Sequence, residues 1–193
     1  MDKTQGSIMI VGVGGQGTLL ASKVLGHVYG MAGYDVKVSE VHGMSQRGGS
    51  VVTYMRYGKS VASPIVEIGE ADIILAFEEL EGARYLPYLK KGGKMIVNRL
   101  RINPMPVITG ETEYPANLIQ KMRDTGADVL DLDAKEIAEE AGSAKAANIA
   151  LLGVFAKYAG MERPSWDEAM RVCAPPKSLD INLKAFDLAY NQF

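Results

Sequence analysis

A short apolar run that passes directly into spaced glycines, and from them into a helical pattern, leaves few folds open to this chain. Ser7-Ile8-Met9-Ile10-Val11-Gly12-Val13 is apolar and rich in β-branched residues, so it reads as a buried strand. Gly12, Gly14 and Gly17 satisfy the pattern G-x-G-x-x-G. From Thr18 to Ala32, the apolar residues Leu19, Leu20, Val24, Leu25, Val28 and Met31 recur at helical spacing, and Gly33 stands where a helix should end. Val36–Val41 reads as a second strand. Strand, glycine turn, helix and strand make a βαβ unit, which predicts an α/β protein.

The rest of the chain extends this reading. Val51–Tyr57 and Lys59–Ser63 read as two strands of a hairpin joined at Gly58. Ala71–Phe77, Lys94–Asn98 and Asp128–Leu132 read as further strands, the second after a Gly92-Gly93 turn. Leu80–Leu89 and Ala116–Asp124 read as helices, the first broken near Pro87. From Ala134 the pattern is helical almost to the end. Asn148–Ala159 is apolar nearly all round and should be buried. Ser165, with Glu168 three residues on, suggests a capped helix start, Pro175-Pro176 ends that helix, and Ser178–Tyr190 is a last amphipathic one. The expectation is a Rossmann-like open, mostly parallel sheet with a C-terminal helical extension. It forms a single domain over 1–193, with the sheet core in 1–132 and the extension in 133–193.

Composition excludes several classes of function. Hydrophobic residues are 47% of the 193, enough for a proper core, and the formal net charge of −2 gives no pull toward nucleic acid. Cys173 is the only cysteine and His27 and His42 the only histidines, so neither a disulfide, a four-thiolate iron–sulfur cluster nor a zinc site is expected. No apolar run is long enough to span a bilayer, and the charged start into an apolar strand does not read as a secretory leader, so a cytoplasmic protein is expected. The charges are segregated: Glu67–Glu81 holds only acids and Arg84–Arg101 only bases. Two solvated stretches would explain this, as would one stretch facing a partner.

Two segments could carry chemistry. The glycine turn Gly12-Val13-Gly14-Gly15-Gln16-Gly17 opens a helix whose N-terminus carries about half a positive charge, a place for a phosphate or carboxylate. The same glycines would also serve the turn and close packing alone. A nicotinamide or flavin dinucleotide would need an acid at the end of the second strand, and Glu40 is the nearest candidate. The loop Glu40-Val41-His42-Gly43-Met44-Ser45-Gln46-Arg47-Gly48-Gly49-Ser50 follows that strand at the carboxyl edge, where open α/β sheets bind ligands. His42, Ser45, Gln46 and Arg47 offer donors and acceptors suited to an anion. Ser45 and His42 make no hydrolase pair, because no acid is assigned to orient the histidine and no G-x-S-x-G elbow is present.

The glycine turn and the Glu40–Gly49 loop, taken together at this spacing, resemble the gamma-type domain of 2-oxoacid:ferredoxin oxidoreductases. The similarity continues through Ser63-Pro64, Glu70-Ala71-Asp72, Glu78 with Glu81 and Arg84, Leu89–Asn98, Ala147-Asn148, Leu152-Gly153, and Asn182 with Lys184-Ala185-Phe186. It extends over nearly the whole chain, with little to match in Arg99–Gly142. The resemblance is greatest to the subunit acting on indolepyruvate. It implies a cofactor-free small subunit, inactive alone, that completes or gates a site owned by a large catalytic subunit. Thiamine diphosphate and iron–sulfur clusters would sit on that partner, with coenzyme A as cosubstrate and ferredoxin served indirectly. Two large and two small subunits are implied. Glu40, His42, Ser45, Gln46 and Arg47 would lie at the partner's active site. Gly12, Gly14, Gly15, Gln16 and Gly17, with Arg47, are candidates to hold an anion or coenzyme A. The alternative is a free-standing NAD(P)- or flavin-binding oxidoreductase.

Overall fold

A computed structural model describes residues 5–42 and 48–193. Six strands form one sheet: β1 (Gln5–Val13), β2 (Asp35–His42), β3 (Ser50–Gly58), β4 (Ala71–Ala76), β5 (Leu89–Asn98) and β6 (Asp128–Leu132), in the order β2-β3-β1-β4-β5-β6. β1, β4, β5 and β6 pair in parallel, while β3 runs antiparallel to both β1 and β2. The sheet is therefore mostly parallel, as expected, with one reversed strand. The helices are α1 (Thr18–Met31), α2 (Glu79–Tyr85), α3 (Met105–Ile108), α4 (Leu118–Asp124), α5 (Ala134–Ala141), α6 (Ala147–Ala159), α7 (Arg163–Cys173) and α8 (Leu179–Gln192).

β3 corrects two expectations. The first forty residues do not pair as a simple βαβ unit, because β3 lies between β1 and β2. The predicted hairpin at Gly58 is also absent. β3 already has a neighbour on each side, so residues 59–63 have no free strand edge to join. Instead Val61 N–H donates to the Asp35 carboxylate at 2.8 Å, tying this segment to the start of β2. Other boundaries move for local reasons. α2 ends at Tyr85, and Leu86–Tyr88 form a 3-10 turn with Pro87 in its first positions. Gly92-Gly93 lies inside β5, at a bulge where the register with β4 shifts. α4 starts at Leu118, after Asn117 in the left-handed region. α7 begins at Arg163 with Glu162 at its N-cap, so Ser165 lies within the helix and caps nothing.

Strand alternation sends Ile8, Ile10, Met55, Leu75 and Ile96 to one face, where α1 and α5–α8 cover them in one continuous core. Met9, Val11, Val52, Ile74, Met95 and Val97 fill the other face, beneath α2 and α4. α6 is buried from Asn148 to Ala156, in accord with its all-round apolarity. It lies so close to α8 that a Cβ on Gly153 would sit 2.4 Å from the Phe186 carbonyl oxygen. Connections leave β1 and β4 toward opposite faces and opposite ends of the sheet, which makes the carboxyl ends of these adjacent strands a topological switch point.

Candidate functional site

The glycine turn closes over that switch point. Gly15 and Gly17 carry positive φ, 100° and 82°, a conformation that costs glycine little and other residues more. Gly12 needs its missing side chain for a different reason: a Cβ there would lie 3.0 Å from Phe77 Cβ and 2.7 Å from Gln16 Oε1. The Gln16 side chain folds back into the turn. Its Oε1 accepts from Val13 N–H at 2.6 Å and its Nε2 donates to the Phe77 carbonyl at 2.9 Å. Asn98 Nδ2 donates to the same carbonyl at 3.2 Å, and Asn98 Oδ1 accepts from Ala134 N–H at 3.0 Å. One polar clasp thus joins the ends of β1, β4 and β5 to the start of α5. Asn148, at the start of α6, donates to the Gly17 carbonyl at 3.2 Å. A Cβ on Gly17 would stand 2.5 Å from Asn148 Nδ2, so a side chain there would displace this amide as well as strain the backbone at φ 82°.

Glu40 lies one strand further out than a dinucleotide acid would. Its Oε2 accepts from Thr18 Oγ1 at 3.3 Å and Thr53 Oγ1 at 3.2 Å, so it ties β2 to β3 and to the first turn of α1. The half-exposed His42 holds Nδ1 3.9 Å from Glu40 Oε1. Ser45, Gln46 and Arg47 lie outside the described residues. The loop's return is well anchored: Gly14 N–H donates to the Gly49 carbonyl at 2.9 Å, and Ser50 Oγ donates to Glu81 Oε2 at 2.5 Å.

On the α2 side of the switch point a cavity of about 590 Å³ opens beside Val13, Ser50, Glu81 and Arg84, with residues 102–115 as its outer wall. Three buried acids gather at the start of α2. Glu78 caps it, accepting from Glu81 N–H at 2.8 Å. Its other oxygen accepts from Ile102 N–H at 3.1 Å and Tyr114 Oη at 2.5 Å. Glu79 pairs with Arg101 Nε at 3.1 Å. Burial pushes the Glu81 carboxyl above its ordinary range, against the opposing pull of Ser50 and Arg84, while Glu78 adds to the rise. Burial and the bond to Glu78 likewise push the Tyr114 phenol up. The segregated charges of the sequence pair with one another, Glu79 with Arg101 and Glu81 with Arg84 here, and Asp72 with Lys90 at the amino end of the sheet.

Sequence reasoning marked the turn and the Glu40 loop but missed the parts that hold them. Asn148 is 131 positions from its partner Gly17, and Tyr114 is 36 from Glu78. No local pattern could join such pairs, although Glu78, Glu81 and Asn148 were among the residues carrying the family resemblance. Among the described residues, no three His, Cys, Asp or Glu side chains gather as a metal site, and no helix is long and apolar enough to cross a membrane.

The family model described as pyruvate ferredoxin/flavodoxin oxidoreductase matches residues 7–192. The indolepyruvate oxidoreductase subunit IorB of Thermococcus kodakarensis is 42% identical over 189 residues, 94% of this chain and 93% of the relative. Its namesake from Pyrococcus horikoshii is 43% identical over 187 residues, with the same coverage. Among solved structures, the pyruvate oxidoreductase subunit PORC of Thermotoga maritima superposes with a TM-score of 0.73 at 20% identity, over 98% of this chain and 97% of the other, and so shares the fold.

Proposed function

The chain belongs to the pyruvate ferredoxin/flavodoxin oxidoreductase family, and on that premise we propose that it is the small subunit of an indolepyruvate:ferredoxin oxidoreductase, completing a site that a large catalytic subunit owns. Identity of 42–43% along nearly the full length of subunits named for indolepyruvate carries the reading. The overall reaction converts a 2-oxoacid and coenzyme A to acyl-CoA, carbon dioxide, a proton and two electrons for ferredoxin.

The residues of this chain do not fit the redox cofactors. Cys173 is the single cysteine, and one thiolate cannot hold a cluster that needs four. No Gly-Asp-Gly diphosphate motif occurs in the sequence. Thiamine diphosphate, which supplies the carbanion chemistry when bound, and the iron–sulfur clusters are therefore assigned to the large subunit, in an assembly of two large and two small chains.

What this chain offers is positioned backbone and, in the Glu40–Ser50 loop, the cation Arg47. The turn Gly14–Gly17 sets the start of α1, with its partial positive charge, at the carboxyl edge. Gln16 and Asn148 hold the turn in shape, so backbone amides rather than the Gln16 side chain would meet an anion. Glu40 stands beside Thr18 and opposes negative charge there. A phosphate of coenzyme A at this place then needs a further cation, and Arg47 is the one the Glu40–Ser50 loop contains.

The test is reconstitution with the large subunit. The isolated chain should show no turnover of indolepyruvate with coenzyme A and ferredoxin, and the complex should. Arg47→Ala should lower either subunit affinity or kcat/KM for coenzyme A at least tenfold, the loss expected for a desolvated charge-assisted contact of about 2–5 kcal/mol. If subunit affinity and kcat/KM for coenzyme A and for the oxoacid all stay within about twofold, the assignment of Arg47 is wrong.

A further inference from the structure

The wall formed by residues 102–115 is built in an unusual way. Its two ends are anchored to buried charge. Ile102 N–H and Tyr114 Oη both donate to Glu78, Tyr114 Oη accepts from Leu80 N–H at 3.1 Å, and Arg101 pairs with Glu79 while lying 5.6 Å from the Tyr114 ring centre. Between these anchors, the single turn of α3 turns its large apolar side chains outward. Met105 is 66% exposed and Ile108 65%. Chain held this firmly cannot fold its apolar residues back into the core, so they remain on the rim of the cavity.

We propose that this rim and the cavity behind it form a docking site for the large subunit, taking an apolar segment that carries a lysine or arginine. This deepens the functional reading above and rests on it. Charge selects the occupant. Among the described residues, Glu78, Glu81 and Glu113 line the cavity against one cation, Arg84, which lies 3.5 Å from Glu81 Oε1 and is itself half exposed. Glu78 is already satisfied by its three donors. Glu81 already holds Ser50 on one oxygen and Arg84 beside the other, so the acceptor left for a partner is the exposed Glu113, where an incoming cation finds a carboxylate and an incoming acid is repelled. The cavity also adjoins Gly49 and Ser50, the return of the loop assigned to the shared active site, so one continuous edge would meet the partner. The apolar rim supplies the buried area, and the acids supply register and orientation.

The experiment measures affinity between this full chain and the purified large subunit. Met105→Asp with Ile108→Asp should weaken binding at least tenfold and leave the melting temperature of the free chain unchanged, since both side chains are exposed. Glu113→Lys should weaken binding severalfold, with the loss reduced at high salt. Ile68→Asp is the control, because Ile68 is 71% exposed but lies at the opposite edge of the sheet, and it should bind normally. Binding of the double variant within twofold of wild type overturns the proposal, as does an equal loss for Ile68→Asp. If the double variant instead breaks up a self-associated form of this chain and still binds the large subunit, the surface belongs to a second copy and the proposal fails. Wild-type chain that does not bind the large subunit at all would refute the functional reading itself, a result distinct from these.

Discussion

Gln16→Ala separates two roles that the sequence alone leaves together, ligand contact and internal clasp. The side chain makes two hydrogen bonds, to Val13 N–H and to the Phe77 carbonyl. Truncation leaves Val13 N–H, on a buried residue, without its acceptor, whereas Phe77 keeps the bond from Asn98. An unsatisfied buried donor costs about 1–3 kcal/mol. Gln16 is half-buried, so water reaches part of the gap, and the lower portion of that range, about 1–2 kcal/mol, is expected. For a domain of this length each kcal/mol moves the midpoint by about 2–4 °C, so thermal unfolding of the isolated chain should fall by about 2–8 °C. The reconstituted complex should keep its KM for coenzyme A within about twofold once assembled. Gln16→Glu should destabilise as well, because the carboxylate can still accept from Val13 but faces the Phe77 carbonyl with no donor. An unchanged melting temperature together with a large rise in KM would refute the clasp and make Gln16 a ligand-binding group.

Three further outcomes are expected. Gly153→Ala should destabilise by roughly 1–3 kcal/mol, because its Cβ would press on the Phe186 carbonyl at 2.4 Å, and chemical denaturation against wild type would show it. Leu152→Ala should cost about 2–5 kcal/mol in the same assay, since Leu152 is fully buried; a cost under about 0.5 kcal/mol would contradict its place in the core. The third concerns Glu81, whose folded pKa is raised, so the protonated form is favoured in the native state. Its contribution to stability is then greatest at acidic pH and is lost as pH rises from the unfolded pKa through the raised folded one. Glu81→Gln should remove that portion of the pH dependence, and denaturation midpoints compared across mildly acidic to neutral pH would test it.

Periodicity made most of this molecule legible before any coordinates. A period of two or a continuous apolar run identified the places of β1, β2, β4 and β6. The helical pattern identified α1 and the buried α6, and the glycine spacing located the turn at the carboxyl edge. These are local properties, because a strand or helix shows its buried face within a few residues. The pairing of β3 was not local. Its apolar residues suit a hairpin or a central strand equally, and insertion between β1 and β2 depends on which edges remain free after collapse. The site divides in the same way. Gly12, Gly14 and Gly17 announce a tight turn in sequence, but that Gln16 points inward depends on the distant Phe77 carbonyl. That a side chain at Gly17 would also displace a hydrogen-bonded amide depends on the distant Asn148. The 102–115 wall stands where it does because Glu78 gathers donors from Ile102 and Tyr114, a buried carboxylate seeking partners wherever the fold brings them. Sequence determined the elements and the chemistry they carry. Tertiary structure alone decided which polar groups are used up in holding the edge together and which remain for a partner, since hydrogen bonds between residues far apart in the chain exist only once the core has closed.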